Sequence, residues 1–179
     1  METTKYNPMQ TVKREFFAMR NGVIADTYRK AGSTFRIVFG LNLPQLVEIA
    51  GRTPHDRELA EALWANTTTR ESMLLAPMLI DPADFTEDDA RRWLTSVCSY
   101  EVADILCHRL LRKTSYAWSL AESLMENPVN EYDRYVALRL AFNLVAADPR
   151  RALAIARRMP GDRVAEMLAE EARFQLGEE

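Results

Sequence analysis

The feature that most constrains this chain is a helical hydrophobic period that returns, between breakers, at a nearly constant interval. Apolar residues recur three and four positions apart at Leu59 and Leu63, at Met73, Leu74 and Met78, and at Val102, Ile105, Leu106 and Leu110. The same spacing holds at Val136, Leu140 and Leu144, and at Val164, Met167 and Leu168. It puts each group on one helix face, and no sustained alternation marks a strand. Asn21-Gly22, Asp81-Pro82, Asn127-Pro128, Asp148-Pro149 and Pro160-Gly161 separate the periodic stretches, each a dipeptide that ends a helix or turns the chain. Thr86 followed by Glu87, Asp88 and Asp89 reads as a hydroxyl N-cap with acids in the first turn, where the helix dipole favours them. Pro54 and Pro149 stand where a first turn tolerates proline.

These signals predict an all-α chain with helices at about 8–20, 23–31, 43–51, 55–65, 69–80, 86–97, 100–112, 115–126, 130–147, 149–158 and 161–175. From residue 55 on they fall into pairs whose second members begin near Thr69, Tyr100, Asn130 and Gly161, a period of about 30 residues. One such pair cannot bury both of its faces, so neighbours stack into an α-solenoid. A compact bundle of the same helices is the alternative. The expected organisation is a single helical-repeat domain over 1–179. Residues 1–52 supply N-terminal capping helices and residues 53–179 supply four helix-turn-helix units.

The formal charge of −3 argues against a globally basic nucleic-acid binder, but it is an average over opposed segments. Residues 1–30 carry +3, 31–108 carry −6, 109–158 carry +4 and 159–179 carry −4. The +4 segment leaves room for a local basic surface inside an acidic protein. Two cysteines, Cys98 and Cys107, form neither a disulfide framework nor a CxxC site, which suits a reducing cytoplasm. No stretch has the roughly 20 apolar residues of a membrane span, and residues 1–17 lack the apolar core of a signal peptide.

Little conventional catalytic chemistry is visible. Cys107 and His108 are adjacent, so on a helix they point about 100° apart and cannot form a nucleophile–base pair. Cys107 reads as a core residue and His108 as a surface residue beside Arg109. With only His55 and His108 and no HExxH, no metal site is expected, and no glycine-rich phosphate loop follows a strand. No cofactor is implied.

Tyr100 and Asp104 are more informative. Four residues apart, they share a helix face, where an aromatic plane beside a carboxylate suits a flat cation. Equally, Tyr100 packs at its helix start while Asp104 pairs with His108 or with an arginine of the next repeat. Tyr132, Tyr135 and Arg139 share a face too, an arrangement that suits phosphates and base edges or, alternatively, an interhelical seam. Trp64, Trp93 and Trp118 recur on the first helices of the pairs and read as packing between repeats.

Three ordered segments carry a family resemblance: Phe39-Gly40-Leu41-Asn42-Leu43-Pro44, then Leu59-Ala60-Glu61-Ala62-Leu63-Trp64, then Arg70-Glu71-Ser72-Met73-Leu74-Leu75-Ala76. In order and spacing they resemble the AlkD-type DNA alkylation repair family. The likeness continues through Trp93, Tyr100–Asp104 and Tyr132–Leu144, covering about residues 30–160. The resemblance implies a HEAT-like α-solenoid, a right-handed superhelix of antiparallel helix pairs that holds duplex DNA on its concave face. It also implies a glycosylase that excises cationic N3- and N7-alkylated purines. Asp104 would be the catalytic carboxylate and Tyr100 the lesion-facing aromatic, at a position where the family commonly has tryptophan. Arg109, Arg112, Lys113, Arg134, Tyr135 and Arg139 would contact DNA. The family's second site arginine is replaced, since the segment reads Tyr132-Asp133-Arg134-Tyr135-Val136-Ala137 with tyrosine at that place. The alternative reading is a non-catalytic repeat scaffold that binds a protein partner, or DNA without chemistry.

Overall fold

The computed structural model describes residues 7–178. The first six residues of the stretch read as lacking a leader, and Glu179 of the acidic tail, lie outside the described residues. All eleven expected helices are present, and they divide into two compact units, one up to Asp81 and one from Pro82 on.

The first unit contains α1 (Pro8–Ala18), α2 (Gly22–Lys30), α3 (Leu43–Arg52), α4 (Arg57–Ala65) and α5 (Arg70–Leu75). Short polar side chains start four of them. Asn7, Asn21, Asn42 and Asp56 each accept a backbone N–H of the first turn, which satisfies donors the helix cannot. Asn42 and Gln45 close a reciprocal capping box. Every residue of α5 is buried. The helix expected over 69–80 stops early because Pro77, with no N–H to donate, turns the chain into a short 3-10 segment at Ala76–Met78.

A charged cluster locks this unit. Glu71 is fully buried. Its Oε2 accepts the Phe39 N–H at 3.0 Å, and its Oε1 accepts those of Gly40 at 2.9 Å and Leu41 at 3.3 Å. Arg70, 2% exposed, pairs with Glu71 at 2.9 Å and donates to the Leu41 carbonyl and the Tyr28 hydroxyl. Gly40 sits at φ +82°, and a Cβ there would lie 2.2 Å from the Asn21 carbonyl oxygen. Only glycine fits.

The second unit contains α6 (Glu87–Leu94), α7 (Tyr100–Arg109), α8 (Ala117–Glu126), α9 (Asp133–Leu144), α10 (Pro149–Ala156) and α11 (Arg163–Leu176). Across both units the paired helices begin at Arg57 and Arg70, Glu87 and Tyr100, Ala117 and Asp133, and Pro149 and Arg163, the period of about 30 residues that marks a repeat array. Buried Leu106, Leu120, Leu140 and Leu168 fill the second unit's core, each worth about 1.5–3 kcal/mol on burial. Ala103, Ala121, Ala137, Ala141 and Ala152 are fully buried, so the small side chains lie where helices pack closely.

First helices connect to first helices. The Tyr116 hydroxyl donates to the Phe85 carbonyl at 2.9 Å, Arg91 reaches Ser123, Arg151 pairs with Glu122, and Arg158 pairs with Glu126 at 2.7 Å. Burial pushes the Tyr116 phenol up to about 12, and the Arg151 guanidinium holds Glu122 below the usual carboxylate range. Trp93 is fully buried, its ring edge-on to Phe85 at 4.9 Å. Trp64 is 3% exposed.

Several helices of this unit are shorter than the sequence predicts, and α7 and α9 show the cause. α7 ends at Arg109 because Leu110 leaves helical geometry at φ −125°, ψ −66°, and Leu111–Lys113 follow as a 3-10 turn. α9 begins at Asp133 rather than near 130. The buried Asp133 carboxylate accepts the Val129 and Asn130 N–H groups at 2.7 and 2.9 Å, so it is engaged in building the turn.

Candidate functional site

The predicted site residues that meet one another do so along the seam between α7 and α9. Three pairs across it share one offset of 35 residues: Tyr100 with Tyr135, Asp104 with Arg139, and His108 with Asn143. A constant offset means that the two helices run parallel, with successive pairs one turn apart.

Asp104 is the centre of the strip. Its Oδ1 accepts the Tyr135 hydroxyl at 3.0 Å and the Arg139 Nε–H at 2.7 Å. No described residue hydrogen-bonds Oδ2, and the side chain is 36% exposed. The carboxylate is therefore anchored by one oxygen and open at the other. Arg139 is fixed in the same way. Nε holds Asp104, the terminal nitrogens make no hydrogen bond to a described residue, and the guanidinium carbon lies 5.7 Å from the Phe142 ring centroid. Burial and the adjacent Asp104 carboxylate push the Tyr135 phenol well above its ordinary range, so it stays a donor.

Tyr100, at the head of the strip, is 63% exposed. Its ring meets Tyr135 at 4.6 Å and Tyr132 at 5.5 Å, both edge-on, the geometry that ring quadrupoles prefer. Tyr132 in turn donates to the Cys98 carbonyl at 3.2 Å. Three tyrosines thus form one aromatic surface beside the Asp104–Arg139 pair.

The other predicted basic residues do not join this network. Arg112, Lys113 and Arg134 are exposed and make no ion pair with a described residue. Arg109 is half-buried, with a buried Nε that finds no hydrogen-bond partner among the described residues. Cys107 is buried as expected, burial holds its thiol protonated, and its Sγ faces the Val136 carbonyl at 3.7 Å.

His108 differs from its expected place on the surface beside Arg109. It is half-buried, and its Nδ1 lies 2.9 Å from Asn143 Oδ1. The sequence carries the signal for this pair in the four-residue steps Tyr100–Asp104–His108 and Tyr135–Arg139–Asn143, which only the register between the two helices makes readable.

Stacked helix pairs with a polar seam between second helices define a HEAT-like helical-repeat protein. One solved structure matches 94% of this chain and 75% of its own at a TM-score of 0.75 and 19% identity; it is described as "A new family of proteins related to the HEAT-like repeat DNA glycosylases with affinity for branched DNA structures". Residues 12–117 match the sequence profile of the DNA alkylation repair enzyme family, and the chain belongs to that family. No curated protein sequence matches it. No helix among the described residues is long and apolar enough to cross a membrane.

Proposed function

We propose that the protein is a DNA-repair glycosylase that engages duplex DNA along the α7–α9 strip and excises cationic N3- and N7-alkylated purines. The observation that carries this reading is the Asp104 carboxylate, anchored through Oδ1 and open at Oδ2 beside the exposed Tyr100 ring. An alkylated purine already bears positive charge, so an aromatic face attracts it. As the C1′–N bond lengthens, positive charge moves onto the sugar, where a fixed carboxylate stabilises it. Arg139 occupies the role left vacant at Tyr135. It holds Asp104 in place through Nε and offers its terminal nitrogens to a flanking phosphate. The concave-face docking expected from sequence falls, in this reading, on this strip, with Arg112, Lys113 and Arg134 as further phosphate contacts.

The test is release of methylated purine from alkylated duplex DNA. Wild-type protein is expected to release 3-methyladenine and 7-methylguanine, and Asp104→Asn to lose release while keeping its affinity for undamaged duplex. Absence of release by the wild type removes the enzymatic claim.

Two observations favour a second reading. Asp104 already has a cationic partner in Arg139, and the structural neighbour is described by its affinity for branched DNA. Binding of branched DNA without excision uses the same aromatic surface for unstacked bases. A junction bound tighter than a linear duplex, with no base released, selects it. Binding should in either case weaken steeply with salt as phosphate contacts release counterions.

A further inference from the structure

The function read from Asp104 and Tyr100 leaves the third pair of the strip unexplained. Asn143 Nδ2 donates to the Arg139 carbonyl at 2.7 Å, which fixes the amide, because a flipped amide would set two oxygens against each other. Asn143 Oδ1 therefore faces His108 Nδ1 at 2.9 Å. An amide oxygen only accepts, so Nδ1 carries the proton. In the neutral imidazole Nε2 then bears the lone pair, one helical turn from Asp104 on the same face of α7. The strip thus presents, in order, an aromatic plane, a carboxylate with one free oxygen, and an imidazole held in the tautomer of a base.

We propose that His108 is a further catalytic residue, the base that takes the proton of the hydrolytic water while Asp104 steadies the sugar cation; this rests on the excision reading above. In the step, the C1′–N bond of the cationic purine breaks and its electron pair stays with the base, which departs neutral. The water oxygen bonds C1′, and one water proton passes to His108 Nε2. The products are an abasic site, a neutral alkylpurine and an imidazolium that returns its proton to solvent. The Asn143 bridge acts through His108 and is a positioning contact, since without it either tautomer is open to the ring.

The experiment is single-turnover release of 7-methylguanine from a methylated duplex, with DNA affinity and melting temperature measured on each variant. His108→Asn keeps an amide donor near the Nδ1 position, facing Asn143, but removes Nε2. It is expected to melt and bind DNA as wild type while its rate falls about 100-fold, within the range that general-base catalysis supplies. Asn143→Leu is expected to lower the rate by a smaller factor at unchanged affinity. A His108→Asn rate within threefold of wild type, beside active wild-type protein, shows the histidine to be only a structural bridge and overturns the inference alone. Wild-type protein that binds DNA and releases no base overturns the inference together with the excision reading. If His108→Asn melts early, His108→Gln, which keeps an acceptor near Nε2 without its basicity, carries the same expectation and the same refutation.

Discussion

Glu71→Gln is expected to cost about 3–5 kcal/mol of stability, the range for breaking a buried pair by changing one partner. The Glu71 carboxylate accepts three backbone N–H groups of the Phe39–Leu41 turn and the Arg70 guanidinium, with no exposure to solvent. Glutamine has one acceptor oxygen. Wherever it points, its –NH2 group confronts a donor, either the Phe39 N–H alone or the Gly40, Leu41 and Arg70 donors together. The less costly orientation orphans one buried N–H, about 1–3 kcal/mol. It also removes the negative charge beside the Arg70 guanidinium, 2% exposed, and these overlapping costs set the quoted range. In a chain of this length, each kcal/mol is worth roughly 2–4 °C in Tm, so a fall of about 6–20 °C is expected. Circular dichroism followed through heating and through urea measures it. A midpoint shifted by less than 0.5 kcal/mol would show that the carboxylate does not hold the turn.

Gly40→Ala is expected to destabilise the same turn severely, because backbone atoms of Asn21 and Ala25 lie 2.2 and 2.8 Å from the new Cβ; thermal melting checks it. The raised Tyr135 phenol gives a signed pH effect. A group whose folded pKa lies above its unfolded value stabilises the fold fully below about pH 10 and loses that contribution as pH rises above it. Urea midpoints should therefore fall above pH 10 in the wild type, with a shallower fall in Tyr135→Phe; parallel curves would contradict the burial argument. Arg139→Ala should lower the slope of log affinity against log salt by about 0.9, the value of one phosphate contact. An unchanged slope in a fluorescence-anisotropy titration would mean that Arg139 serves Asp104 alone.

The sequence made the helices legible because their signals are local. Apolar periodicity, the Thr86 cap and the proline stops act within a few residues, so α3, α8 and α10 lie close to where the spacing puts them. Boundaries failed where a local turn signal was overlooked, as when the Asp133 carboxylate closed the Val129–Asn130 turn and delayed the start of α9. The segments that carried the family resemblance are structural: Phe39-Gly40 and Arg70-Glu71 bind each other inside the first unit. They report the fold and say nothing of chemistry.

The site was legible in part. Tyr100 and Asp104 stand out because one helix brings them together, and an arginine of the next repeat was one expected partner of Asp104, without Arg139 being singled out. That Arg139 pairs with Asp104, and that His108 faces Asn143 rather than solvent, depends on the register of α7 against α9. No residue of either helix encodes that register by itself.

The most direct test of the central claim is the affinity for a duplex carrying a cationic sugar analogue, a positively charged pyrrolidine in place of one deoxyribose. If Asp104 is built to stabilise charge developing on the sugar, wild-type protein binds this duplex at least about 100-fold tighter than undamaged DNA, as transition-state mimics are bound. Asp104→Asn then removes the preference while leaving undamaged DNA bound as before. Equal affinity of the wild type for the two duplexes would contradict the account.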